Sequence, residues 1–264
     1  MNFQLPTQPV SWIRIIALTV RAYFKIFVPI FWLVLISALV HLIIPWIFRV
    51  NIYYGLVGLL GFMLLIWFLY TAVLHIAQIA LKNQGRLPLR NAFVMARKRY
   101  LLVLGSNIIF FAIGLFLVLI EYTLNLAFDI FHEYPLSFFV SALIDIYLFI
   151  YLYFAIPSLI LDNSPIIASF ERSVHLVRYN WWRTLILLGG VGLVLLGAEA
   201  LGILITGKER MILFTLWHFM IQVIFYPLIV ALTLVLYHDL TLRLQQRRAR
   251  AQARAQQTAL PGQH

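Results

Sequence analysis

The chain is 264 residues long, 63% apolar and only 11% charged, with a formal net charge of +11 at pH 7. Soluble chains carry roughly 25% charged residues, so this one, with a mean hydropathy of +0.95, lacks the polar surface to cover itself in water. That excludes intrinsic disorder and a nucleic-acid-binding globule, and it argues strongly against a soluble enzyme.

A helix needs about 20 apolar residues to cross a hydrocarbon core of roughly 30 Å. In chain order, six runs meet this need: 26–48, 50–81, 101–120, 136–161 (interrupted by Asp145), 184–206 (containing Glu199) and 211–238. The sequence therefore predicts an all-α integral membrane protein with six transmembrane helices. The first run follows Arg14, Arg21 and Lys25 and is about 23 residues long. A secretory apolar region is roughly 7–15 residues, so this run reads as a retained span. Spans one and two join through a tight turn at 49–53, and spans five and six through one at 207–210. A longer link, 121–135, joins spans three and four. Continuous runs such as GLVGLLGFMLLIWFLY do not alternate, which argues against a transmembrane β-barrel.

The chain repeats itself about every 78 residues, with units starting at Pro9, Pro88 and Pro165. Each unit is a basic, partly apolar segment followed by two spans, giving repeats of approximately 9–81, 88–161 and 165–239. Leu89, Phe93, Ala96 and Tyr100 share a face in the second segment. Ile166, Phe170, Ser173 and Val177 occupy the same places in the third, at an offset of 77. Too charged to cross a bilayer, the three segments are predicted to be amphipathic interfacial helices. Three such parallel units form one membrane domain, 1–242, with a basic tail at 243–264. Proline suits a first helical turn, and Ser164 before Pro165 is a candidate cap.

Charge sets the orientation. One side receives Arg14, Arg21 and Lys25, the cluster from Lys82 to Arg99, then Arg172, Arg178 and Arg183, and finally the arginines from Arg243 to Arg254. Only Arg49, Lys208 and Arg210 fall on the other. Basic loops stay inside, which predicts two cytoplasmic termini in a bacterial inner membrane. Arg14, Arg21, Lys25, Arg90, Arg97, Arg172, Arg178 and Arg183 are candidate contacts for anionic lipid headgroups. Membrane lipids are thus the expected partners, and nucleic acid is not. Trp46, Tyr53 and Tyr54 cluster at the outer turn, and Tyr100, Tyr179, Trp181 and Trp182 mark the inner boundary.

Ionisable residues inside spans are expensive and carry functional hypotheses. Asp145, Glu199 and His218 would line an outward polar cavity if they converge. His75 with Gln78, and His218 with Gln222 at i,i+4, each share a helix face. The bland alternative is local pairing and packing, with Glu199 reaching the outer headgroups. Cysteine is absent, no HExxH or HxxxH spacing occurs, and no phosphate loop, dinucleotide fingerprint or nucleophile elbow is present. No metal, cofactor or catalytic residue is therefore assigned. Pro157, in AIPSLIL, is expected to kink or end span four.

The stretch FAIPSLILDNSPIIASFERSVHLVRYNWWRTLIL places Pro157, Ser169, Ser173, Asn180 and Trp182 around a span–loop–helix–span junction. It resembles bacterial six-span inner-membrane proteins of the UPF0259 type, and the membrane domain found with some glycerophosphodiester phosphodiesterases. A weaker copy runs from Pro88 through Tyr100. The resemblance covers about 35 residues in sequence and the six-span layout in outline. It implies membrane embedding and little about activity, since the phosphodiesterase catalytic domain has no counterpart here. Three functions follow in order: a non-enzymatic membrane protein of envelope homeostasis, scaffolding or lipid organisation; a small transporter or channel using an intramembrane polar cavity; and a lipid-acting enzyme.

Overall fold

The structure is a computed structural model that describes residues 5–50, 52–82, 89–129, 134–206 and 211–259. Its elements are α1 (Trp12–Val50), α2 (Ile52–Leu81), α3 (Leu89–Asp129), α4 (Tyr134–Leu152), α5 (Ala155–Leu161), α6 (Ile166–Val177), α7 (Trp181–Thr206) and α8 (Met211–Ala259). Six stretches are long and apolar enough to cross a membrane: Trp12–Val40, Met63–Leu81, Arg90–Ile120, Ala142–Leu161, Trp181–Ile205 and Leu213–Gln256. The turn expected at 207–210 lies outside the described residues; that expected at 49–53 narrows to residue 51, between α1 and α2, and the longer link expected at 121–135 narrows to 130–133, because α3 runs on to Asp129 and α4 starts at Tyr134. The side chains of Trp46, Arg49, Tyr53 and Tyr54 are outside the described residues.

The outer faces of these helices are apolar. Phe24 and Val28 on α1, Leu101 and Phe111 on α3, and Leu193 and Leu204 on α7 are each more than two-thirds exposed. In water such faces would aggregate; against acyl chains they are the ordinary surface of a span.

The basic segments ahead of spans one and three are not separate helices. They form the first turns of α1 and α3, which run on into the spans without a break. Arginine and lysine are good helix formers, and their long stems lie along apolar surface, so nothing in either segment interrupts the backbone ladder. The third segment, α6, does stand alone. It ends in a turn where the Asn180 N–H donates to the Val177 carbonyl at 2.7 Å.

The chain divides into two compact units. The first contains Met1–Phe31, Ala77–Arg86 and His175–His264. Ile15, Thr19, Ala22, Ile26 and Ile30 form a buried stripe along its part of α1. Its centre is the inner half of α8, where residues 230–237 are buried on every side. A helix apolar all round belongs inside a bundle. From residue 245 to 256 the side chains of α8 are exposed and rich in arginine, and the helix continues to Ala259.

The second unit contains Trp32–Ile76 and Leu87–Val174. Here α3 packs on α2 through Phe68, which stacks on Phe93 and meets Tyr100 edge-on, both at 5.7 Å. The Tyr100 hydroxyl donates to the Leu64 carbonyl at 3.1 Å. Helix α6 packs on α3. Ile166 Cδ1 lies 3.0 Å from where a Cβ on Gly105 would sit, and Phe170 meets Phe110 at 5.1 Å. The small and apolar side of α6 is therefore spent on protein, with Ile167 and Val174 left exposed.

Span four breaks one turn before Pro157, between α4 and α5. Proline provides no N–H for the carbonyl four residues back, here Tyr153. Ser173 repairs the break: its hydroxyl accepts the Phe154 N–H at 3.1 Å and donates to the Tyr151 carbonyl at 2.7 Å. Helix α5 ends at Asp162, followed by Asn163 with φ of 57°, the left-handed conformation that asparagine tolerates after a helix end. The first carbonyl bonded in α6 is that of Pro165, accepting from Ser169, rather than that of Ser164.

Candidate functional site

A polar side chain inside a span must find its partners within the protein. Two clusters of the first unit meet that demand, one at each end of the α7–α8 pair.

The outer cluster is built on a close helix contact. A Cβ on Gly202 would collide with the Trp217 indole, and the Trp217 Nε1–H donates to the Ala198 carbonyl at 2.9 Å. The glycine lets the indole lie on α7, and the hydrogen bond fixes the register. One residue along each helix, Glu199 Oε1 lies 2.6 Å from His218 Nδ1, and His218 Nε2 lies 2.7 Å from the Gln222 side-chain nitrogen. With the Gln222 N–H donating to Nε2, the ring proton sits on Nδ1 and is donated to the carboxylate. Glu199 lies seven residues from the end of α7 at Thr206, and His218 seven from the start of α8 at Met211. That is a depth of about 10 Å along each axis. The His218 side chain is 45% exposed and that of Glu199 27%.

The inner cluster centres on Asp239 of α8, whose side chain is fully buried. Its Oδ2 pairs with Arg243 at 2.8 Å and with Arg183 of α7 at 3.2 Å. Its Oδ1 accepts the Val10 N–H at 2.8 Å. Both arginines also donate to the Val10 carbonyl. Next to it, His238 Nε2 donates to the Pro6 carbonyl at 2.9 Å. The segment ahead of α1 is thus pinned to α8 beside Asp239. Asp239 follows the last span directly in sequence, where an acid four residues before Arg243 resembles a solvated pair. Its burial has no sequence signal.

The remaining predicted residues are dispersed. Asp145 is exposed on α4, in the second unit. His75 is buried, with its Nε2 unpartnered among the described residues, and Gln78 is half-buried. Arg14, Arg21, Arg90, Arg97 and Arg178 are exposed, as a headgroup contact requires. Lys25 donates to the Leu81 carbonyl at 3.4 Å, and Arg172 pairs with Asp162 at 2.6 Å. Arg183, expected at the headgroups, is committed to Asp239.

Glu199 and His218 are within general acid–base distance. Both ring nitrogens are already occupied, however, so the imidazole acts as a strut between α7 and α8. Among the described residues, no group of three His, Asp or Glu is placed to hold a metal ion. No family model, no curated protein and no solved structure matches this chain. It is a multi-span α-helical membrane protein, established by its own helices.

Proposed function

We propose that this is a non-enzymatic integral protein of a bacterial inner membrane, with both termini cytoplasmic, that scaffolds or organises the lipid and protein around it. The observation that carries this reading is the local closure of the ionisable groups on the α7–α8 pair. Glu199, His218 and Gln222 bond to one another within one helix pair, and Asp239 is saturated by Arg183, Arg243 and Val10. A transport path needs polar groups left open to cargo. A scaffold needs them closed, because each pair then ties helices together without an unsatisfied group in hydrocarbon. The basic junctions support the cytoplasmic placement of the termini. The three similar basic segments support an origin by duplication, and the exposed arginines on them support contact with anionic headgroups.

The chain contains no cysteine, so single-cysteine labelling is clean. An impermeant maleimide should reach Gln252→Cys on the exposed tail only in inverted vesicles, and Tyr122→Cys near the far end of α3 only in right-side-out vesicles. The reverse pattern overturns the orientation. Proton or cation flux in proteoliposomes that is abolished by Glu199→Gln replaces the scaffold reading with transport.

A further inference from the structure

Tyr179, in the turn between α6 and α7, carries two cations. The guanidinium of Arg178 lies 5.6 Å from its ring centroid and that of Arg247, on α8, lies 4.3 Å from it. The two positive groups are therefore within about 10 Å of each other. Among the described residues neither is paired with a carboxylate. Arg178 and Arg247 are exposed, and Tyr179 and Trp182 are 57% and 71% exposed. Tyr179, Trp181, Trp182 and Arg183 directly precede the apolar run that starts at Thr184, the composition of a hydrocarbon–headgroup boundary.

Like charges gathered on one ring repel each other, and the aromatic face offsets only part of that repulsion. An anion between them removes the rest. Guanidinium groups present parallel N–H donors that match phosphate oxygens two at a time. A single phosphate can bridge two such forks at this separation after side-chain rotation. The exposed Trp182 ring, three residues along the chain from Tyr179, is of the type that suits an acyl–glycerol boundary.

We infer that Arg178, Tyr179 and Arg247, with Trp182 alongside, form a binding site for the phosphate of an anionic phospholipid, and that the bound lipid clamps the α8 extension to the α6–α7 turn. The chemistry shared with free phosphate is the double guanidinium fork. The exposed aromatic surface favours the lipid. This deepens the lipid-organising reading above by naming where one headgroup is held.

The test is native mass spectrometry of the full chain released from detergent micelles, titrated with phosphatidylglycerol, phosphatidylcholine or inorganic phosphate. One phosphatidylglycerol should be retained at about tenfold lower concentration than phosphatidylcholine. Arg178→Gln and Arg247→Gln should each weaken that retention about tenfold, the size expected for one lost charge-assisted contact. Arg250→Gln, the same charge change on the same exposed helix but three residues away, should alter it less than twofold. Equal retention of the two lipids, or an equal loss with Arg250→Gln, overturns the site. Displacement of phosphatidylglycerol by inorganic phosphate overturns the lipid as its occupant. These outcomes are read in micelles and so stand apart from the labelling test: a failed site with unchanged labelling leaves the topology intact, and reversed labelling with selective retention leaves the site intact.

Discussion

The Val10 N–H donates to Asp239 Oδ1 at 2.8 Å, across 229 residues of chain. The same carboxylate pairs with Arg183 and Arg243, and both of those donate to the Val10 carbonyl. Asp239 and Val10 each bond the other and both arginines, and each arginine bonds both of them. Both backbone polar groups of Val10, which precedes the first helix, are thus hydrogen-bonded, as they would be inside one.

Removing one partner of a buried ion pair strands the other, at a typical cost of about 3–5 kcal/mol. Asp239→Ala should therefore lower stability by about that much, because it leaves Arg183 and Arg243 facing each other without their acid. Glu199→Gln should cost less, about 1 kcal/mol, since the amide oxygen of the variant can still accept from His218 Nδ1. Thermal unfolding in detergent, followed by circular dichroism, checks the order. An Asp239 variant as stable as the Glu199 variant removes the inner cluster as a fastening.

Gly202→Ala places a methyl group inside the Trp217 ring. The expected loss is about 1–3 kcal/mol, the usual range for overpacking. A Cβ at Gly197, on the same helix, would meet nothing within 4 Å. Gly197→Ala should be neutral or slightly stabilising, by at most about 1 kcal/mol of helix propensity. Trp217 fluorescence and the unfolding midpoint separate the two. Equal effects would mean that the indole does not rest on Gly202.

Ser173→Ala removes the hydroxyl that accepts from the Phe154 N–H and donates to the Tyr151 carbonyl at the break in span four. A stranded buried polar group costs about 1–3 kcal/mol. The Ser169 hydroxyl donates only to the Ile166 carbonyl of its own helix, so Ser169→Ala should cost under about 1 kcal/mol. Hydrogen exchange at Phe154 gives the sharper readout: it should accelerate in the Ser173 variant and stay unchanged in the Ser169 variant.

The pairing of His218 with Gln222 is legible as an i,i+4 spacing, and Glu199 stands out as an acid in an apolar run. Their meeting was decided by the angle and register of α7 on α8, which depend on Gly202 and Trp217. Asp145 has the same sequence signature as Glu199 and sits on an exposed face of α4 instead. Arg183 looks like its basic neighbours Arg172 and Arg178 along the chain. Only the arrival of Asp239 beside it turns a headgroup contact into a buried pair.

Sequence alone determined the helical, membrane-spanning character of this protein. A run of about 20 apolar residues satisfies its own backbone and meets the solvent by itself, without reference to the rest of the chain. The break held by Ser173 and the closing of Val10 on Asp239 were decided by tertiary structure. Each is a polar group choosing among several partners, and that choice is made by contacts between residues far apart in sequence.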